Sequence, residues 1–189
     1  MEIIAGVDEA GRGAIAGPVV AAAVILPKLK DIPSLLRDSK KLNPVQREKM
    51  FEWLHKNAIS VGIGIATVEE INKHNILNAT FIAMHRAIEK LKPKPTLLLI
   101  DGNRFKPFEN IEFKCIVGGD GKEPVISAAS IIAKVFRDRL MMQLHKEFPI
   151  YGWESNKGYP TPSHKLAVVR HGRSPHHRRN FKVQLRLPF

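Results

Sequence analysis

Two adjacent carboxylates, Asp8 and Glu9, stand immediately before a glycine–arginine–glycine turn in GVDEAGRG, Gly6 to Gly13. Carboxylates repel phosphate, yet an arginine between two glycines is suited to approach an anion closely. The two demands agree when a divalent cation lies between acid and phosphate. Two further acids occur in comparable settings. Asp101 ends the apolar run TLLLI, and Asp120 lies in VGGDGK after the run EFKCIV. A carboxylate emerging from a buried strand is costly unless it is paired, protonated or metal-bound. Open α/β sheets bind ligands at the carboxyl ends of their strands. Four acids without His or Cys make a hard oxygen donor set, which suits Mg²⁺ or Mn²⁺ rather than zinc. Two such ions roughly 4 Å apart activate water and stabilise the leaving oxygen of a phosphodiester.

Each acid taken alone also has a plainer reading. Asp-Gly in DGN is a common turn, Asp120 is equally a loop acid, and Asp8–Glu9 equally a charged strand end. Neighbours on a regular strand point to opposite faces. If both side chains bind metal, the strand must therefore end or bulge there; the Glu9 carbonyl is another route to a cation. Asp138 of FRD competes as fourth ligand, but it lies inside a helix between Arg137 and Arg139, where an ion pair is expected. His164, His171, His176 and His177 fit no closed zinc spacing and are assigned to a basic surface or to packing. Cys115 is the single cysteine, which excludes an internal disulfide; alternation with Phe113 and Val117 predicts a buried strand thiol.

The elements that must position these acids follow from local pattern. EIIAGVD, GPVVAAAVIL, ISVGIGIAT, TLLLID and IEFKCIV read as strands. Asn43–Pro44 signals a helix start, running to about Asn57, with Trp53 expected in the core beside Met50 and Leu54. Further helices are predicted from about Val68 to Lys73, Leu77 to Leu91, Pro124 to Glu147 and Pro162 to His171. The sum is an α/β fold, a mixed sheet with helices packed on it. With 189 residues, 44% of them apolar, the chain suits one domain. Tyr151 and Trp153 are placed near the site, able to pack beneath Tyr159.

Lys plus Arg number 30 against 18 acids, a formal charge of +12. Such an excess points to a polyanion, nucleic acid before a membrane surface. No apolar run reaches the about 18 residues of a spanning helix. The start, MEIIAGVDEAGRG, lacks a basic n-region, so a cytoplasmic location is expected.

Six ordered blocks, GVDEAGRG, DSKKL, LIDGN, GGD followed by SAASIIAKVFRD, KGYPT and HHRRNF, together resemble the ribonuclease HII family over roughly Ile3 to Phe181. The resemblance implies a ribonuclease H-like fold with a helical C-terminal extension from about residue 150. It implies endonucleolytic cleavage of RNA in RNA/DNA hybrids, and of duplex DNA on the 5′ side of an embedded ribonucleotide, by two-metal-ion catalysis giving 3′-hydroxyl and 5′-phosphate ends. By motif, the metal-binding acids fall on Asp8, Glu9, Asp101 and Asp120. Gly11, Arg12 and Gly13 would meet the ribose 2′-OH, and Tyr159 would stack on the following deoxyribose. Ser39, Lys40 and Lys41, before a helix N-terminus, are expected phosphate contacts, with Asn103, Arg104 and Lys157. One departure is Gly118, where the family usually carries lysine. A monomer is expected. Two rivals remain. GRGAIAG nearly matches a dinucleotide fingerprint, but this needs a helix after the glycines, where Pro18 and Val19–Val20 predict a strand. A non-catalytic nucleic-acid binder would not need all four acids.

Overall fold

The computed structural model describes residues 2–27, 33, 36 and 42–183. Ser39, Lys40 and Lys41 lie outside the described residues. Five strands form one sheet: β1 (Ile4–Ala10), β2 (Val19–Ile25), β3 (Ser60–Ala66), β4 (Leu97–Asp101) and β5 (Glu112–Ile116). Their order across the sheet is β3-β2-β1-β4-β5. The first three are antiparallel neighbours, whereas β1–β4 and β4–β5 are parallel. Val19 opens a strand directly after the glycine turn, which removes the dinucleotide-binding rival.

Helices cover both faces. α1 (Pro44–Asn57) starts as expected, with a capping box in which Gln46 N donates to Asn43 Oδ1 at 2.9 Å and Asn43 N to Gln46 Oε1 at 3.0 Å. α2 (Val68–Glu89) opens on a second such box, Thr67 with Glu70. It is broken at Asn75, φ 63°, whose side chain accepts from Asn78 N at 3.1 Å and so caps the second segment. The two helices read from sequence are these two segments. α2 lies directly on β3: a Cβ on Gly64 would stand 1.9 Å from the Ala83 carbonyl oxygen. On the other face α3 (Pro124–Glu147) buries Ile126 through Ala129 and Ile131 through Ala133, matching its nearly all-apolar first half. β2 is buried along its whole length between these layers. Two short helices, α4 (Trp153–Asn156) and α5 (Pro162–His171), follow α3 among the described residues. Among the described residues no helix is long and apolar enough to cross a membrane.

Two burial expectations need correction. β5 is an edge strand, so Phe113 and Val117 are 36% and 66% exposed and Cys115 is only half-buried, its thiol pKa still raised by burial. Trp53 sits half-buried on the rim of the cluster in which Met50, Phe51 and Leu54 are buried.

Candidate active site

The parallel pairing of β1 with β4 runs from Ile4 opposite Leu97 to Val7 opposite Ile100, and the next residues are Asp8 and Asp101. Two carboxylates thus leave neighbouring strands side by side at their carboxyl ends. β1 neither ends nor bulges there: its register with β2 continues through Glu9 opposite Ala21 and Ala10 opposite Val20. The condition set for both side chains to bind metal, a strand end or a bulge, is therefore not met, because β2 still pairs along the other side of the strand, and the Glu9 carbonyl remains the other route to a cation. Asp8 and Glu9 consequently face opposite sides of the sheet. Asp8 shares its face with Ala10, toward α3, where Ser130 hydrogen-bonds its carboxylate. Glu9 shares its face with Val7, toward α2.

The electrostatics are unfavourable for bare acids. Asp8 is 5% exposed. Its pKa is raised well above the ordinary carboxylate value by burial, then by the Glu9 and Asp101 charges, against an opposing hydrogen bond from Ser130. Its Oδ1 accepts from Glu9 N at 2.6 Å. Glu9 is likewise raised, chiefly by burial, while Arg12 acts in the opposite sense from 3.0 Å. Asp101 Oδ1 accepts from Gly119 N at 2.7 Å and from Asp120 N at 3.4 Å. That pair anchors the 3-10 turn Gly119–Gly121 onto Asp101 and brings the backbone of Asp120 to the same place. Among the described residues no three His, Cys, Asp or Glu side chains form a ready-made metal cage. Arg12, backbone amides and Ser130 hold the acids as they stand. The donor set nevertheless fits a hard divalent cation: oxygen ligands only, with Asp8 buried and both Asp8 and Glu9 costly to keep ionised where they stand.

Glu9 and Arg12 form a divide between two pockets. One, about 390 Å³, is lined by Gly11, Gly13, Asp120, Ser130, Lys134 and Tyr159, with Arg47 at its edge. The other, about 270 Å³, is lined by Asp101, Asn103, Arg104 and Thr80. Lys157 lines neither: its ammonium donates to the Glu154 carbonyl and lies 3.2 Å from Met142 Sδ. Asp138 is no ligand candidate, being paired with Lys134 at 2.7 Å. The ring of Tyr159 rests against cations, Arg137 Cζ at 5.3 Å and Lys134 Nζ at 5.9 Å from its centroid. Tyr151 and Trp153 stack on each other at 5.2 Å and support Tyr159 indirectly. Trp153 Nε1 donates to His164 Nε2 at 3.0 Å, and His164 Nδ1 donates to the Tyr159 carbonyl at 2.8 Å.

Sequence reasoning missed Ser130, Lys134, Arg47 and Thr80. The first two had a signal, polar residues four apart and hence on one face of an otherwise apolar helix. It also gave no role to Arg178 or Arg137, which are both fully buried.

Comparison with known proteins settles the family. The model of the family described as Ribonuclease HII matches residues 5–184. The chain belongs to the ribonuclease HII family. It is 57% identical to the ribonuclease HII of Porphyromonas gingivalis over 94% of this chain and 88% of that one. It is 53% identical to that of Bacteroides fragilis over 96% and 90%. Among solved structures, it superposes on ribonuclease HII of Archaeoglobus fulgidus, determined in complex with PCNA, with a TM-score of 0.81 and 26% identity over 98% of both chains. On the ribonuclease H2 of Pyrococcus horikoshii the TM-score is 0.79 at 30% identity, covering 95% of this chain and 94% of that one. The fold is thus the ribonuclease H-like mixed α/β fold with C-terminal helices. Membership of ribonuclease HII supports a hydrolase with nuclease activity, consistent with cleavage of RNA/DNA hybrids.

Proposed function

We propose that this chain hydrolyses the RNA strand of RNA/DNA hybrids and cuts duplex DNA on the 5′ side of an embedded ribonucleotide, leaving 3′-hydroxyl and 5′-phosphate ends. The observation that carries the reading is the placement of Asp8 beside Asp101 at the carboxyl ends of β1 and β4, with the charge of Glu9 felt by Asp8 and that of Asp101 by Glu9, and the Asp120 turn anchored on Asp101. Asp8, Glu9, Asp101 and Asp120 are assigned to hold Mg²⁺ or Mn²⁺. When bound, such ions activate water and neutralise charge at the phosphate.

The remaining roles belong to the chain itself. The Arg12 side chain is 50% exposed and is free to turn from Glu9 to a phosphate oxygen. Gly11 and Gly13 let the backbone approach a ribose 2′-OH, the group that separates RNA from DNA. Tyr159, backed by two cations, offers its outer face to a sugar. Lys134 and Arg47 in one pocket, and Asn103 and Arg104 in the other, are suited to position the strand on either side of Glu9. Ser39, Lys40 and Lys41 are proposed as further phosphate contacts. The substrate is a duplex in the cytoplasm, and the chain acts as a monomer.

The test uses a labelled duplex with one ribonucleotide. Asp8→Asn and Asp101→Asn should lose cleavage while keeping most of the binding at low salt. Full activity in either variant overturns the assignment.

A further inference from the structure

Arg178 is fully buried and its guanidinium faces no carboxylate among the described residues. A buried cation without a counter-charge is costly, so its retention calls for an account. All five of its N–H donors are spent on one loop. Nε donates to Gly17 O at 3.0 Å, Nη1 to Arg12 O at 3.0 Å and Ala14 O at 2.6 Å, and Nη2 to Gly11 O at 2.7 Å and Pro18 O at 3.2 Å. Its backbone N–H adds Ile15 O at 2.9 Å. Arg137 takes Ala16 O at 3.1 Å and joins Lys157 O, beside Tyr159, at 2.9 Å. Gly11 is required by this packing, since it has φ +95° and a Cβ there would stand 1.9 Å from Arg137 Nε.

The consequence lies on the loop's other side. In a trans peptide the N–H points opposite to the preceding C=O. With the Gly11 and Arg12 carbonyls drawn onto Arg178, the N–H groups of Arg12 and Gly13 point away from it. The Gly13 carbonyl is taken by neither arginine, and Gly11, Arg12 and Gly13 all line the 390 Å³ pocket. A 2′-hydroxyl is both donor and acceptor and meets such a set; a deoxyribose offers neither group. We propose that Arg178 is a positioning residue that sets the Gly11–Gly13 backbone for ribose discrimination. The inference rests on the functional reading above.

The test compares wild type, Arg178→Met and Arg178→Lys. Binding is measured in EDTA at low salt to a fluorescent duplex with one central ribonucleotide and to its all-deoxy twin, below the lowest melting midpoint of the three proteins. Wild type should favour the ribonucleotide duplex. In Arg178→Met that preference should fall about tenfold or to unity, the loss of one aligned hydrogen bond, with all-deoxy binding within about twofold of wild type. Arg178→Lys, with three donors for five acceptors, should fall between. A folded variant, methionine or lysine, with the wild-type preference overturns the inference, as does equal weakening toward both duplexes, the mark of a merely structural role. No preference in wild type would instead overturn the functional reading, and this inference with it.

Discussion

Acidification should unlatch the C-terminal helices through one histidine pair. His164 Nδ1 donates to the Tyr159 carbonyl, so its Nε2 carries the lone pair that receives Trp153 Nε1 at 3.0 Å and His177 Nε2 at 3.1 Å. His177 Nε2 is then the donor, and its Nδ1 accepts from Ser174 N at 3.0 Å. The network therefore assigns one neutral tautomer to each ring, and a further proton on either meets a donor head-on. Both pKa values are lowered, chiefly by burial, that of His177 from 6.5 to about 4. A depressed histidine contributes stability that is whole above its unfolded pKa and is lost as pH falls toward its folded pKa. At about 1.36 kcal/mol per unit, His177 alone should cost roughly 3 kcal/mol by about pH 4. The comparison is with His177→Phe, which keeps an aromatic ring and removes the titration. Urea unfolding at a series of pH values gives the stability of each protein. At neutral pH the variant should be the less stable, having lost the bonds to His164 and Ser174. The wild-type advantage should then shrink by roughly 3 kcal/mol between pH 7 and about pH 4, titrations remote from the pair cancelling in the difference. An advantage independent of pH would refute the tautomer assignment.

Other perturbations follow from the same coordinates. Asp8→Asn should melt higher than wild type near pH 7 in EDTA, because a raised carboxylate pKa means that the ionised acid costs stability; Mg²⁺ should raise the wild-type midpoint more than the variant's. No stabilisation in the variant would contradict the burial argument. Arg47→Ala and Lys134→Ala should weaken binding to ribonucleotide-bearing and all-deoxy duplexes alike and lower the salt slope by about 1 each, read by titration at several salt concentrations. Gly64→Ala should destabilise the fold by about 1–3 kcal/mol, since the new Cβ meets the Ala83 carbonyl; denaturant unfolding checks it.

Most elements were legible because their signals are local. Asn43 and Pro44 mark the start of α1, alternation marks β3, and the interruption around Asn75 marks the kink in α2. Asp8 and Asp101 stood out as candidates because each ends an apolar run. What stayed hidden depends on tertiary partners. Whether β1 bulges at Glu9 is decided by β2, which pairs past that point. Exposure of Phe113 is decided by β5 being an edge strand. Arg178 and Arg179 are alike in sequence, yet one is buried and one is exposed, because the Gly11–Pro18 loop supplies carbonyls to the first. His164 and His177 were read as surface or packing residues. Their buried network with Trp153 was invisible because nothing in the local pattern says that α4, α5 and the segment after it fold back on one another.

The most direct test of the account maps the cut in an end-labelled duplex carrying one ribonucleotide, with Mg²⁺ and then with EDTA. The account predicts one cut, 5′ to the ribonucleotide, with a 3′-hydroxyl end, present with Mg²⁺ and absent with EDTA. Cleavage that persists in EDTA, or cuts unrelated to the ribonucleotide, would contradict it.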